Sequence, residues 1–157
     1  MKLQVRYANH PEDSKHYTTE ELRKHYLMEK VFEKDEILLV YSHQDRIVSG
    51  GVMPVNKSLK LETSDELRAK YFLERRELGI INIGGNGRVI LDGVVYNVKS
   101  KDGMYVGMGT KEVIFESDDS LNPAKFYISS CPAHKTYPTY YIDFEKANHR
   151  LKKKKKT

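Results

Sequence analysis

Apolar residues change their spacing along the chain, and the changes mark elements. From Met1 to Tyr17 they follow no period and Pro11 interrupts them, so an irregular segment is expected. Thr18 followed by Glu21 has capping-box spacing and predicts a short helix through TEELRKHYLME. The texture then turns to strands. EILLVYSH and RIVSGGVM are rich in β-branched and aromatic residues, and KSLKLE alternates polar with apolar positions. Thr63 and Glu66 repeat the capping-box spacing over SDELRAK, predicting a second short helix or turn.

From Tyr71 onward turn residues recur at intervals of roughly ten, the spacing of hairpins in a sandwich or barrel. Gly84 to Gly87 closes one strand, Asp92-Gly93 and Asp102-Gly103 are expected as tight turns, and Ser117 to Pro123 as a polar loop. The strands between are RVIL, VVYNV, MYVG, EVIFES and AKFYISS. Beyond Pro132 the proline- and tyrosine-rich CPAHKTYPTYYIDFEKANHR is expected to wrap over the sandwich. Residues 1–145 therefore read as one mainly β, antiparallel domain with one or two short helices.

A length of 157 residues, 39% of them hydrophobic and 31% charged, suits one globular domain with a real core. The formal charge of +5 rests on a tail: without Lys152 to Lys156, the 27 basic residues fall to the number of acidic ones, 22. Residues 146–157 are expected to be a solvated, disordered basic tail. Lysine blocks attract polyanions by counterion release, but no aromatic interleaving or basic helix face accompanies this one, and a nucleic-acid partner is not expected. No apolar run approaches the ~20 residues of a membrane helix, and the first residues lack the apolar core of a signal peptide. With a single Cys131, these features predict a cytoplasmic protein without a membrane partner.

The glycines do not make a phosphate loop. Counted from Gly85 and Gly87, the third position of G-x-G-x-x-G is Ile90; in GMGTKE it is Glu112. Both clusters read as turns whose glycines supply positive φ. A metal hairpin of the cupin kind carries H-x-H, a glutamate and, after six intervening residues, a glycine. Glu77 and Gly84 have that last spacing, but Tyr71 and Leu73 stand at the histidine positions, and Glu112 stands where the second hairpin would place a histidine. Tyr71, Glu77 and Glu112 are candidates for a polar pocket, or for solvated positions on sheet edges. His43 beside Asp45 and Arg46 is a candidate carboxylate site, with Arg46 as bidentate donor, or else a loop-end ion pair. Cys131 and His134 have nucleophile-and-base chemistry, but a structural cysteine is the favoured reading. Arg75 and Arg76 are expected to pair with Glu74 and Glu77 across strands, and strand alternation admits only one of the two arginines to a given pocket.

VYSHQDRIVSGGVMPV, YFLERRELGIINIGGNGRVILDG, MYVGMGTKEVIFES, NPAKFY and PAHKTYPT occur in this order between Val40 and Thr139, with LMEKVF just upstream. They closely resemble the N-terminal half of the 4-deoxy-L-threo-5-hexosulose-uronate ketol-isomerases. The resemblance implies a cupin-like antiparallel β-sandwich assembled as a homohexamer in bacterial breakdown of pectin and uronic acids. It also implies conversion of an open-chain 4-deoxy-5-keto-uronate to 3-deoxy-2,5-diketo-gluconate. A proton moves between neighbouring carbons through an enediol-like intermediate, with zinc polarising the carbonyl. In the family the zinc ligands, H-x-H, a glutamate and a later histidine, belong to the C-terminal half, so none is carried onto this sequence. No catalytic residue, metal ligand or cofactor is assigned to this chain. LKKKKKT in place of the family's continuation reads as a shortened frame or a cut domain, expected to be inactive alone and prone to self-association. The alternative is a non-catalytic uronate-binding or oligomer-assembly module built on His43, Arg46, Tyr71, Glu77 and Glu112.

Overall fold

In the computed structural model, which describes residues 1–147, strand β1 (Lys2–Arg6) occupies part of the stretch expected to be irregular. It pairs in parallel with β2 (Glu36–Ser42), placing Leu3 opposite Leu39 and Val5 opposite Tyr41. A parallel partner so distant in sequence leaves no turn signal beside the strand. One helical turn, α1 (Pro11–Ser14), follows. Helix α2 (Thr19–Tyr26) forms as expected: the Glu21 amide donates to the Thr18 hydroxyl at 3.3 Å and the Thr18 amide to the Glu21 carboxylate at 2.7 Å. It stops at Tyr26, short of Leu27 to Glu29. The second capping box does not form. Thr63 spends its hydroxyl on the Ala69 carbonyl, 3.1 Å away, around a single 3₁₀ turn at Asp65–Leu67 that Arg68 closes with φ 47°.

The larger sheet adds β3 (Val48–Met53), β5 (Arg76–Asn82), β8 (Gly103–Val106), β10 (Phe126–Pro132) and β11 (Tyr140–Ile142), in the order β1-β2-β3-β10-β5-β8-β11. The smaller sheet holds β4 (Leu59–Lys60), β6 (Gly87–Leu91), β7 (Val94–Val98) and β9 (Val113–Ser117), ordered β4-β9-β6-β7. Every pairing except β1 with β2 is antiparallel. Alternate residues of each strand face a shared core, in which Leu39, Leu78, Ile80 and Ile128 meet Val89 and Phe115. The rings of Phe115 and Phe126 stand 5.2 Å apart across the sheets. Each such side chain contributes about 1.5–3 kcal/mol on burial. The fold is thus a mainly β, antiparallel sandwich carrying two short helices.

Two turn expectations are corrected. Asp92-Gly93 is the expected tight turn, with φ of 46° and 85°. At Asp102-Gly103 the reversal falls earlier, where Lys101 takes φ 75°. Asp102 is 2% exposed and accepts the amides of Lys99 (3.1 Å) and Phe144 (2.9 Å) and the Tyr141 hydroxyl, fastening the C-terminal segment to the sheet. Within that segment, expected to wrap over the sandwich, Tyr140–Ile142 pairs as β11 on the sheet edge and a 3₁₀ turn at Phe144–Lys146 follows. Nor do Gly84, Gly85 and Gly87 supply positive φ. Their constraint is space: a Cβ on Gly85 would sit 1.9 Å from the Asn122 carbonyl oxygen. In the second cluster, Gly107 is held in the same way by the Tyr137 carbonyl, and only Gly109 has positive φ, 99°. Lys152 to Lys156, with the rest of 148–157, lie outside the described residues.

Candidate functional site

At one end of the sandwich β2 and β10 finish while β3 and β5 begin. The pleat there turns Tyr41, Ser130 and Arg76 toward the interior, leaving Arg76 7% exposed. Its Nε donates to the Ser130 hydroxyl at 3.1 Å, and its Nη2 to the carbonyls of Ser130 (2.8 Å) and Arg46 (2.6 Å). Its guanidinium carbon also stands 5.8 Å from the centre of the Tyr41 ring. All of these partners are neutral, and none of the carboxylates in the described residues forms an ion pair with Arg76. Burial pulls the Arg76 pKa below its ordinary value; Tyr41 and Cys131 oppose the shift and Arg46 adds to it.

The β2–β3 hairpin brings the next groups. Asp45 and Arg46 take φ of 58° and 54°, a left-handed pair that closes the loop and presents the Arg46 carbonyl to Arg76. His43 donates its amide to the Arg6 carbonyl at 2.8 Å, and its ring lies 4.8 Å from that of Tyr7 and 4.9 Å from that of Tyr41. Among the described residues, no ion pair forms within the His43, Asp45, Arg46 cluster. Between this hairpin and the 65–69 turn is a cavity of about 820 Å³, which adds Arg68 and Arg75 to Arg46 and Arg76 and faces them with Asp65 and Glu66. Four arginines against two carboxylates leave the walls net positive. Both Arg75 and Arg76 line this space, contrary to the alternation argument, because the strand starts at Arg76 and Arg75 lies in the bend before it.

His43 and Arg46 therefore share one cavity, and the other three candidates are engaged elsewhere. Tyr71 lies in the turn ahead of β5, its carbonyl accepting the Glu74 amide at 3.2 Å. Glu77 points to the outer face of the larger sheet, opposite to Arg76. It accepts the Tyr105 hydroxyl at 2.7 Å and the Cys131 thiol at 3.4 Å. Glu112 pairs with Lys60 at 2.7 Å on the smaller sheet. The expected cross-strand pairs of Arg75 and Arg76 with Glu74 and Glu77 do not form; Glu74 instead accepts the Lys70 amide at 2.9 Å.

Zinc does not fit these positions. Leu73 is a fully buried core residue, Glu77 and Glu112 face different partners on different sheets, and no group of three or more His, Cys, Asp or Glu among the described residues is arranged to hold a metal ion. The Cys131 thiol is not activated either, because burial and then Glu77 push its pKa up. Sequence reasoning missed Arg68, brought in by a remote turn, and Arg76 as the inward-facing cation.

A model of the KduI/IolB family matches residues 26–154. The 4-deoxy-L-threo-5-hexosulose-uronate ketol-isomerases of Lachnoclostridium phytofermentans and Lachnospira eligens are each 57% identical, over 89% and 92% of this chain. That of Formosa agariphila is 50% identical over 94% of the chain. The chain spans about half the length of these relatives, 51% of the first two and 52% of the third. Among solved structures, an RmlC-like cupin protein from Desulfovibrio desulfuricans gives a TM-score of 0.46 at 17% identity, covering 69% of this chain and 94% of that one. A cupin protein from Bacteroides fragilis gives 0.40 at 13%, covering 67% and 77%. With the family match running through most of the sandwich and relatives identical at more than half of the aligned positions, the chain belongs to the KduI/IolB family.

Proposed function

We propose that this chain forms the N-terminal, non-metal half of a ketol-isomerase that converts 4-deoxy-5-keto-uronate to 3-deoxy-2,5-diketo-gluconate in uronate breakdown. The observation that carries the reading is the identity of 57% to ketol-isomerases over half of their length. The cupin frame on this half agrees with it, since Leu73, Glu77 and Glu112 stand at its ligand positions and are committed to other contacts.

Polarisation of the substrate carbonyl, the chemistry zinc supplies when bound, belongs in this reading to the other half of the enzyme, and this chain holds no zinc of its own. Its own contribution is the rigid sandwich and the surface it offers for assembly. Ile81, Tyr127, Tyr140 and Ile142 all point from the outer face of the larger sheet and are 39% to 67% exposed. Assembly into the family's homohexamer and a place in the cytoplasm are parts of the same proposal. Exposed apolar area of this kind suits a protein contact.

The test is turnover. Purified chain supplied with zinc and the keto-uronate is expected to give no product. Addition of a separately expressed C-terminal half of the Lachnoclostridium phytofermentans relative is expected to restore product formation. Sustained conversion by the chain alone would overturn the division of labour.

A further inference from the structure

We propose that the cavity between the β2–β3 hairpin, the start of β5 and the 65–69 turn binds the carboxylate of a small sugar acid, with Arg76 as its fixed cation. The inference starts from the state of that guanidinium. A buried charge is costly unless it is paired, and Arg76 meets only a hydroxyl and two carbonyls. Its Nε and Nη2 are spent on those acceptors. Among the described residues no acceptor takes its Nη1, which is left for a ligand in the cavity that Arg76 lines.

Arg46 and Arg75 reach the same space from exposed bends, and neither forms an ion pair among the described residues. The Arg75 Nη2 donates to the Arg68 carbonyl, which ties it to the 65–69 turn. A carboxylate entering here would find the Arg76 guanidinium held by Ser130, Arg75 with its remaining N–H groups, and Arg46, and arginine offers the planar fork that a carboxylate fits. Preorganisation of one donor lowers the ordering cost that the other two must meet.

The remaining walls decide what the carboxylate is attached to. Asp65 and Glu66 line the cavity as acceptors, and neither forms an ion pair among the described residues. They would repel a bare anion but accept hydrogen bonds from hydroxyl groups. Tyr7 is 73% exposed and backed by the His43 ring, giving a supported aromatic face of the sort a sugar ring packs against. Cationic, hydroxyl-accepting and aromatic groups together describe a polyhydroxylated acid better than a lone oxyanion. The volume of about 820 Å³ falls in the range of small-molecule sites. Equilibrium binding at this site does not depend on isomerisation, so the two proposals fail separately.

The experiment is calorimetric titration of the full chain with D-galacturonate, D-galactose and inorganic phosphate, compared with an Arg46→Gln/Arg75→Gln variant whose melting temperature is checked first. Both arginines are exposed, so the variant is expected to stay folded. Saturable binding of galacturonate, none of galactose, and at least a ten-fold loss of affinity in the variant would support the site. Equal binding of galactose, tighter binding of phosphate than of galacturonate, unchanged affinity in the folded variant, or no saturation by galacturonate at millimolar concentration would each overturn it.

Discussion

Replacing Gly85 by alanine tests whether the glycine cluster serves close packing or turn geometry. The new Cβ would lie 1.9 Å from the Asn122 carbonyl oxygen, so that oxygen must retreat by about 1.5 Å to regain an ordinary contact of 3.4 Å. Asn122 cannot retreat alone. The Gly85 amide donates to the Pro123 carbonyl at 2.9 Å, and the Lys125 amide donates to the Asn82 side chain at 3.2 Å, so the shift strains a hydrogen-bonded loop. Overpacking against backbone costs about 1–3 kcal/mol and a lost buried hydrogen bond about 1–3 kcal/mol more. At about 2–4 °C per kcal/mol for a chain of this size, Gly85→Ala is expected to lower the melting temperature by roughly 5–20 °C. The control is Gly93→Ala. Gly93 has φ 85° and nothing within 4 Å of its absent Cβ, so only the left-handed penalty of about 1–2 kcal/mol applies. Thermal denaturation followed by circular dichroism ranks the two. A melting temperature lowered as far or further by Gly93→Ala would refute the packing argument.

Alkaline stability should depend on two tyrosines. Burial, and then hydrogen bonds to Glu77 and Asp102 respectively, push the Tyr105 and Tyr141 hydroxyls up to about 12. A raised folded pKa favours the protonated form in the native state, so this stability is complete below pH 10 and is lost as pH rises from about 10 through 12. Urea melts between pH 9 and 12 should show that loss, and Tyr105→Phe/Tyr141→Phe should flatten it; an equally steep loss in the double variant would contradict the assignment. At the acid end, burial alone would raise the Asp102 carboxyl, but hydrogen bonds from Phe144, Tyr141 and Lys99 outweigh it and hold it low. Stability should therefore fall as pH drops below about 4, and less so in Asp102→Asn. The Cys131 thiol, its pKa raised by burial and by Glu77, should react with iodoacetamide at pH 8 more slowly than glutathione does. Faster alkylation would point to an activated cysteine.

Most strands were legible because their residues carry the signal locally. EILLVYS, GRVIL and VVYNV are apolar or β-branched runs bounded by turn residues, and each became a strand within a residue or two. Elements fixed by distant partners were not legible. Strand β1 owes its form to β2, more than thirty positions away. Thr63 abandoned its capping role for Ala69, because the chain folds back there after one 3₁₀ turn. The candidate site shows the limit most sharply. Strand period reverses the facing of every side chain for a shift of one residue. The motif spacing drew attention to Glu77, whereas the onset of β5 turns Arg76 inward and Glu77 out. Local sequence brought His43 and Arg46 together on one hairpin, but Arg68 and Arg75 joined them only through the 65–69 turn, which tertiary packing positions.

The most direct test of the proposed division between a metal half and this one is the zinc content of the purified chain, measured by elemental analysis after equilibration with excess zinc and dialysis against buffer. Because Leu73, Glu77 and Glu112 do not converge, far less than one zinc ion per chain is expected to remain. Retention of one zinc per chain, lost on replacing Glu77 and Glu112 by glutamine, would contradict the account.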